Sequence, residues 1–416
     1  MTTNTRAVRS VQVARAVWCA GALAILSFAP ILGAQQPLSR IEAIQLALGK
    51  SVLVTAIGAD TLAASARLRS AREYPNPSLT MSYSKDAPQN HFSFDIPLDL
   101  PGIRGPRVRA AEAARTSARF GFLAARAAIE LNVDTMYTTA QGAELRAALS
   151  HATAVDAAKL LSDTRARRDA GDASDLDVNL AEVSAAQAAN VANADSLEAI
   201  DTRLELQAAM GLRGDTITVM LRDSLAAPAI RVAPAASDLT STPAVAAASA
   251  TVLSAQQTLI FQRRSVFGVP SIQLGADAKD PSGAEKGLLP TVGIALPIPF
   301  FNRNGGAIEA AHADVTRAQA ELAIARLNAA TELARAYRTR SVAESRIERD
   351  RTIMDAATRN VSMAERAYTA GEMAIGNILE TRRAQHDAQA QYVTDLVAAN
   401  VAAALVRVLT ANGVTQ

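Results

Sequence analysis

Residues 91–111, HFSFDIPLDLPGIRGPRVRAA, and residues 291–311, TVGIALPIPFFNRNGGAIEAA, decide the fold. Each begins with an apolar residue at every second position: Phe92, Phe94, Ile96, Leu98 and Leu100 in one, Val292, Ile294, Leu296, Ile298 and Phe300 in the other. A period of two is the mark of a strand with one apolar face. Each then passes through prolines and glycines into an Ala-rich run. Shifting the numbering by 200 brings Ile96-Pro97 onto Leu296-Pro297, Gly105 onto Gly305, and Ala110, Ala111 and Ala113 onto Ala310, Ala311 and Ala313. Farther on, Ala170-Gly171 meets Ala370-Gly371. The chain is a tandem repeat of about 200 residues. Upstream, Pro75 pairs with Pro270 at an offset of 195, so the second copy has a loop longer by the difference.

Working outward, all 16 prolines fall outside residues 107–227 and 300–416. Proline breaks helices, so these blocks are predicted to be long helices. Aromatic residues are only 4% of the chain, and alanine is abundant. Such composition suits long, closely packed helices rather than an ordinary core. The first repeat spans 35–212, with a helix over 40–73, strands over 77–84 and 91–100, a long helix over 104–170 and a returning helix over 176–212. Ser39, three residues before Glu42, marks the first helix start as a capping box. Residues 213–242 read as a linker. The second repeat spans 243–416, with a helix over 243–268, strands over 271–279 and 291–300, a long helix over 306–370 and a helix over 376–412. At 1.5 Å per residue the long helices reach roughly 96 Å.

Residues 1–34 read as a signal peptide: Arg6, Arg9 and Arg15 precede an apolar run that ends at Gly33-Ala34. Cys19, the sole cysteine, lies inside it, so disulfide and thiol chemistry are not expected of the mature chain. The formal charge of +2 falls to about −1 without those three arginines, which argues against nucleic acid as a partner. No apolar run long enough to span a bilayer is read after residue 34. A membrane crossing therefore falls to the strands, whose length suits it. Four strands alone would leave two open edges in lipid. Three chains would supply twelve strands and close a barrel, and the long helices would continue it as a helical cylinder. The fold class is mainly α with a small β part. A non-channel periplasmic coiled-coil scaffold is the alternative of another class.

The chain resembles the TolC-like outer membrane efflux family. The carrying residues are Leu38-Ser39-Arg40-Ile41-Glu42-Ala43-Ile44-Gln45-Leu46-Ala47-Leu48, Tyr74-Pro75-Asn76-Pro77, and the turns from Ala170-Gly171 to Leu176-Asp177-Val178 and from Ala370-Gly371-Glu372 to Ile378-Leu379-Glu380. Leu296 to Gly306 resembles the cobalt-zinc-cadmium type of heavy-metal resistance subunit within it. The resemblance implies a homotrimer in outer-membrane lipid with a periplasmic helical tunnel. It also implies docking on a periplasmic adaptor and a resistance-nodulation-division pump, with no cofactor and no enzymatic activity. Drug efflux and one-step (type I) protein secretion use the same kind of duct.

The site residues follow. Ala170, Gly171, Ala370 and Gly371 are expected at helix turns that meet the adaptor. Asp172, Asp175, Asp177 and Glu372 cluster there, as helix caps or as a carboxylate ring narrowing the pore. Asp95 and Asp99 alternate away from the apolar strand face and are expected in the barrel lumen. His91, His151, His312 and His386 are scattered without ligand spacing, so no metal site is expected.

Overall fold

The computed structural model describes residues 37–86, 88–212, 219–228, 242–278 and 287–410. The expected signal peptide lies outside the described residues, as does most of the expected linker. Two helices open the described chain, α1 (Arg40–Lys50) and α2 (Val52–Arg72), preceded by the short strand β1 (Pro37–Leu38). The hairpin β2 (Ser78–Tyr83) and β3 (Asn90–Pro97) follows, then the long helix α3 (Pro101–Asp169) and its return α4 (Asp175–Ala209). After the short strand β4 (Met220–Leu221) the order repeats with α5 (Pro243–Arg264), β5 (Ser271–Ala278), β6 (Leu289–Ala295), α6 (Gly305–Thr369) and α7 (Ile375–Thr410). α3 and α6 have 69 and 65 residues, so each is roughly 100 Å long.

Ser39 caps α1 as a full capping box: Glu42 N–H donates to Ser39 Oγ, and Ser39 N–H donates to Glu42 Oε2. The helix expected over 40–73 is not continuous. It breaks at Ser51, whose extended ψ of 123° stops α1, and the two halves meet at 50°. The bend lets Ala43 and Ala47 of α1 sink into a core with Ile129, Val133, Tyr137 and Ala140 of α3, which a straight helix would pass by. The long helix starts at Pro101, three residues before the expected 104. Pro101 fills a first-turn position, where a missing N–H costs nothing. Pro106 is carried inside the helix, so a proline did not exclude helix there. Part of the expected linker is ordered: Met220 and Leu221 pair in parallel with Pro37 and Leu38.

The four main strands form one antiparallel sheet in the order β2-β3-β5-β6, leaving β2 and β6 as edges. The register puts Leu79 opposite Phe94 opposite Leu274 opposite Val292, and Ile96 opposite Ile272 opposite Ile294. Paired residues share a face, so these residues form one apolar face. That face is open: Val292 and Ile294 are each 78% exposed. The other face carries Ser78, Thr80, Ser93, Asp95, Gln273 and Asp277.

α3 packs along α4 and α5, and α6 along α7, so each long helix is covered by shorter ones placed end to end. Alanine supplies much of the contact, as in Ala311, Ala318, Ala329, Ala336 and Ala343 of α6. Pro243–Phe267 and Ile375–Thr410 are long and apolar enough to cross a membrane by length and composition, which corrects the reading of no such run. In α7 that apolar character serves helix packing instead: Val393, Leu396, Ala399, Ala402 and Val406 are buried within the helical layer.

Candidate channel sites

The α3–α4 and α6–α7 turns lie side by side at the end of the molecule opposite the sheet. Both long helices stop with the same hydrogen bonds. Gly171 N–H reaches Arg168 O and Asp172 N–H reaches Arg167 O; Gly371 reaches Tyr368 O and Glu372 reaches Ala367 O. This is the Schellman closure, which needs a left-handed residue. Gly171 and Gly371 supply it with φ of +87° and +76°.

The turns are tied to one another. Arg167 Nη1 donates to Tyr368 O at 2.9 Å, and its guanidinium lies 4.7 Å above the Tyr368 ring centre. Thr164 Oγ1 and Tyr368 OH are 3.2 Å apart. Leu160, Ala181, Ala364, Tyr368, Ile375 and Ile378 form a core beneath them. Arg167 and Tyr368 were missed in the sequence, although both stand within four residues of a turn glycine.

The four acids divide. Asp177 completes a capping box with Ser174: Ser174 N–H donates to its Oδ2 at 2.9 Å and Asp177 N–H donates back to Ser174 Oγ at 3.2 Å. The bonds that Ser174 N–H and Ser174 Oγ–H donate to Oδ2 hold the Asp177 carboxyl below the usual range. Asp172, Asp175 and Glu372 are exposed at the tip. Asp175 has Arg168 at 4.0 Å.

Beside the turns, α3, α4, α6 and α7 enclose a groove of about 630 Å³. Its apolar lining includes Leu160, Leu180, Val183, Val361 and Leu379. Its rim includes Glu365 and Arg382, joined at 2.7 Å.

At the other end, Asp95 stands on the polar sheet face and accepts from Ser93 Oγ at 3.3 Å. Asp99 does not join it. Its side chain is 1% exposed and paired with Arg104 at 3.2 Å and Arg107 at 2.7 Å, at the joint between β3 and α3. The polar face instead holds His91, whose Nδ1 lies 2.8 Å from Asp277 Oδ1. Among the described residues no group of three or more His, Cys, Asp or Glu is placed to hold a metal.

Two buried acidic sites also escaped the sequence reading. Asp134 of α3 is paired with Arg40 of α1 at 3.1 Å and with Arg407 of α7. Asp350 of α6 faces Asp395 of α7, and the two are 8% and 3% exposed. Burial, then the hydrogen bond and charge of Asp395, push the Asp350 carboxyl up.

The sheet thus keeps one apolar face open and is set on long helical hairpins. The outer membrane efflux protein family matches residues 237–414. That match covers the C-terminal part of the chain. The chain is 25% identical to the cobalt-zinc-cadmium resistance protein CzcC of Cupriavidus metallidurans, covering 86% of each chain. It is 27% identical to the nickel-cobalt-cadmium resistance protein NccC of Alcaligenes xylosoxydans, covering 76% of this chain and 73% of that one. Its fold is that of the Campylobacter jejuni CmeC outer membrane channel, with a TM-score of 0.76 at 16% identity over 90% of this chain and 86% of that one.

Proposed function

We propose that this protein is an outer-membrane efflux channel, the passive exit duct of a tripartite system, trimeric in the outer membrane, and that it releases divalent heavy-metal cations. The observation that carries the trimer is the sheet. Its apolar face is open, its opposite face is polar, and its edges β2 and β6 are free. Free edges are costly in lipid, where no water satisfies the backbone. Pairing β6 of each copy with β2 of the next closes twelve strands with the polar face, including Asp95, turned to the lumen. Each copy is then the doubled unit of residues 35–212 and 243–416.

The periplasmic end is the docking end in this reading. Ala170, Gly171, Ala370 and Gly371 cap the free tips. The groove lined by Leu160, Val183 and Leu379 offers an adaptor an apolar seat beside them. Energy comes from an inner-membrane pump of the resistance-nodulation-division class. Asp172, Asp175 and Glu372 form the carboxylate ring at the pore, while Asp177 is left to its cap. The metal cargo is supported by the two metal-resistance relatives. Deleting the gene and scoring growth on graded cobalt, zinc, cadmium and nickel, with a drug panel beside them, tests it. Sensitivity to the metals alone is the expected result; sensitivity to drugs alone overturns the cargo.

A further inference from the structure

His91 and Asp277 come from different repeats, 186 residues apart, and face one another across β3 and β5. Both stand on the polar face of the sheet, at the end away from the long helices and beside the turn from β2 to β3. No local spacing announces such a pair. His91 Nδ1 lies 2.8 Å from Asp277 Oδ1, and His91 Nε2 lies 3.1 Å from Ser84 Oγ. The partners of each atom assign the protons. Ser84 has one hydroxyl proton, and its nearest acceptor is Asp86 O at 2.8 Å, with Pro88 O at 3.2 Å. A carbonyl only accepts, so the hydroxyl proton goes there and Nε2 is the donor toward Ser84 Oγ. A neutral imidazole carries a single N–H. Nδ1 is then a lone pair facing a carboxylate oxygen. Two acceptors at that distance repel unless a positive charge stands between them, either a second proton or a metal ion.

The surroundings suit a metal ion. Two donors, each roughly 2.1 Å from a first-row divalent cation and at right angles to one another, stand roughly 3.0 Å apart. The observed 2.8 Å needs little opening. The next row along the same face holds Thr80, Ser93 and Thr291, whose hydroxyls can steady the ion's water ligands. β2, β3, β5 and β6 carry no lysine or arginine, so no cation of the strands competes. We propose that His91 Nδ1 and Asp277 Oδ1 chelate a borderline divalent cation of the nickel, cobalt and zinc class, as a weak station on the wall of the duct. The ion takes the place of the proton between the two atoms, and that proton passes to water. Imidazole selects such ions over sodium, potassium and magnesium, which prefer oxygen ligands. Two protein donors per copy hold the ion loosely, so that it leaves again, as conduction requires.

The inference rests on the reading of the polar face as the lumen, and the test separates the two. Untagged full-length protein carrying H151Q/H312Q/H386Q keeps His91 as its only histidine. In detergent, calorimetric titration with nickel is expected to show one site per chain. H91Q and D277N are each expected to weaken it roughly tenfold or more. D95N removes the same charge from the same face and is expected to leave it unchanged. In planar bilayers, nickel is expected to lower the potassium chloride current of this background and of D95N, but not of H91Q or D277N. No binding, or binding that survives both H91Q and D277N, overturns the site and leaves the duct intact. Loss with H91Q alone overturns the chelate, and equal loss with D95N overturns it in favour of diffuse surface charge. Binding that needs both residues but leaves the current untouched overturns the lumen reading of the polar face, and the station with it, while the chelate stands.

Discussion

Gly171 and Gly371 are the residues where backbone conformation decides most. Nothing lies within 4 Å of the position a Cβ would take at either, so substitution meets no clash. The left-handed φ itself is the obstacle, costing an L-residue about 1–2 kcal/mol. G171A and G371A are each expected to destabilise by that amount in thermal melts of the helical circular dichroism signal. The asparagine variants should fall between, since asparagine tolerates this region. Equal melts for alanine and glycine would mean that the turns relax freely. Asp99 is a different case. Removing it leaves Arg104 and Arg107 without their buried carboxylate, and D99A is expected to cost about 1.5–3 kcal/mol, as for hydrogen bonds to charged groups, again read by melting. The turn glycines were legible because a glycine after a long periodic run has few other roles. Asp99 was misread because the alternation was carried past Pro97, where β3 ends. Beyond the strand no pleat fixes which way a side chain faces.

Among the elements, α6 and α7 carry a titratable contact. Asp350 lies on α6 with Arg346 and Arg349. Asp395 lies on α7 with Gln391 and Tyr392, and Arg346 reaches it at 3.5 Å. A raised carboxyl value means that the folded state holds a proton the unfolded chain has released. Stability from this contact is therefore full below the ordinary aspartate range and is lost as pH climbs through the raised value. D350N replaces the shared proton with an amide donor of the same shape. Its melting temperature is expected to hold steady from acid to alkaline pH where the parent declines, and a parallel decline in both would sink the assignment. The Arg167–Tyr368 contact is the second link between elements. R167A removes both the hydrogen bond to the Tyr368 carbonyl and the stacked cation, which together tie the α3 tip to the α6 tip. Hydrogen exchange at residues 168–175 and 368–375 is expected to quicken in R167A while exchange in the sheet is unchanged. Helix existence was legible at this scale because proline-free runs are long. The break at Ser51 was not, since no proline marks it and the bend answers to packing on α3. The Asp134 cluster joins residues from three separate helices, a partnership no local spacing announces.

At the scale of the whole molecule, the sheet face, the free edges and the paired turns belong to a single design read most economically as a threefold duct. The alternating strands were visible because a two-sided sheet must write its two environments at a period of two. The tip acids were visible as a cluster, but the sequence did not divide caps from free carboxylates. The structure does, and that division makes a prediction. Asp172, Asp175 and Glu372 are exposed, whereas Asp177 is held by Ser174. Threefold symmetry would triple the three free carboxylates around one opening, where fixed negative charge favours cations and is weakened by salt screening. In planar bilayers under a salt gradient, D172N/D175N/E372Q is expected to shift the reversal potential toward the non-selective value, most clearly at low ionic strength. D177N should leave selectivity unchanged and lower the melting temperature instead, because its carboxylate serves the helix. If the triple variant keeps the parent's reversal potential, the tip carboxylates do not face the conducting path. Selectivity would then fall to the polar sheet face around Asp95 and Asp277.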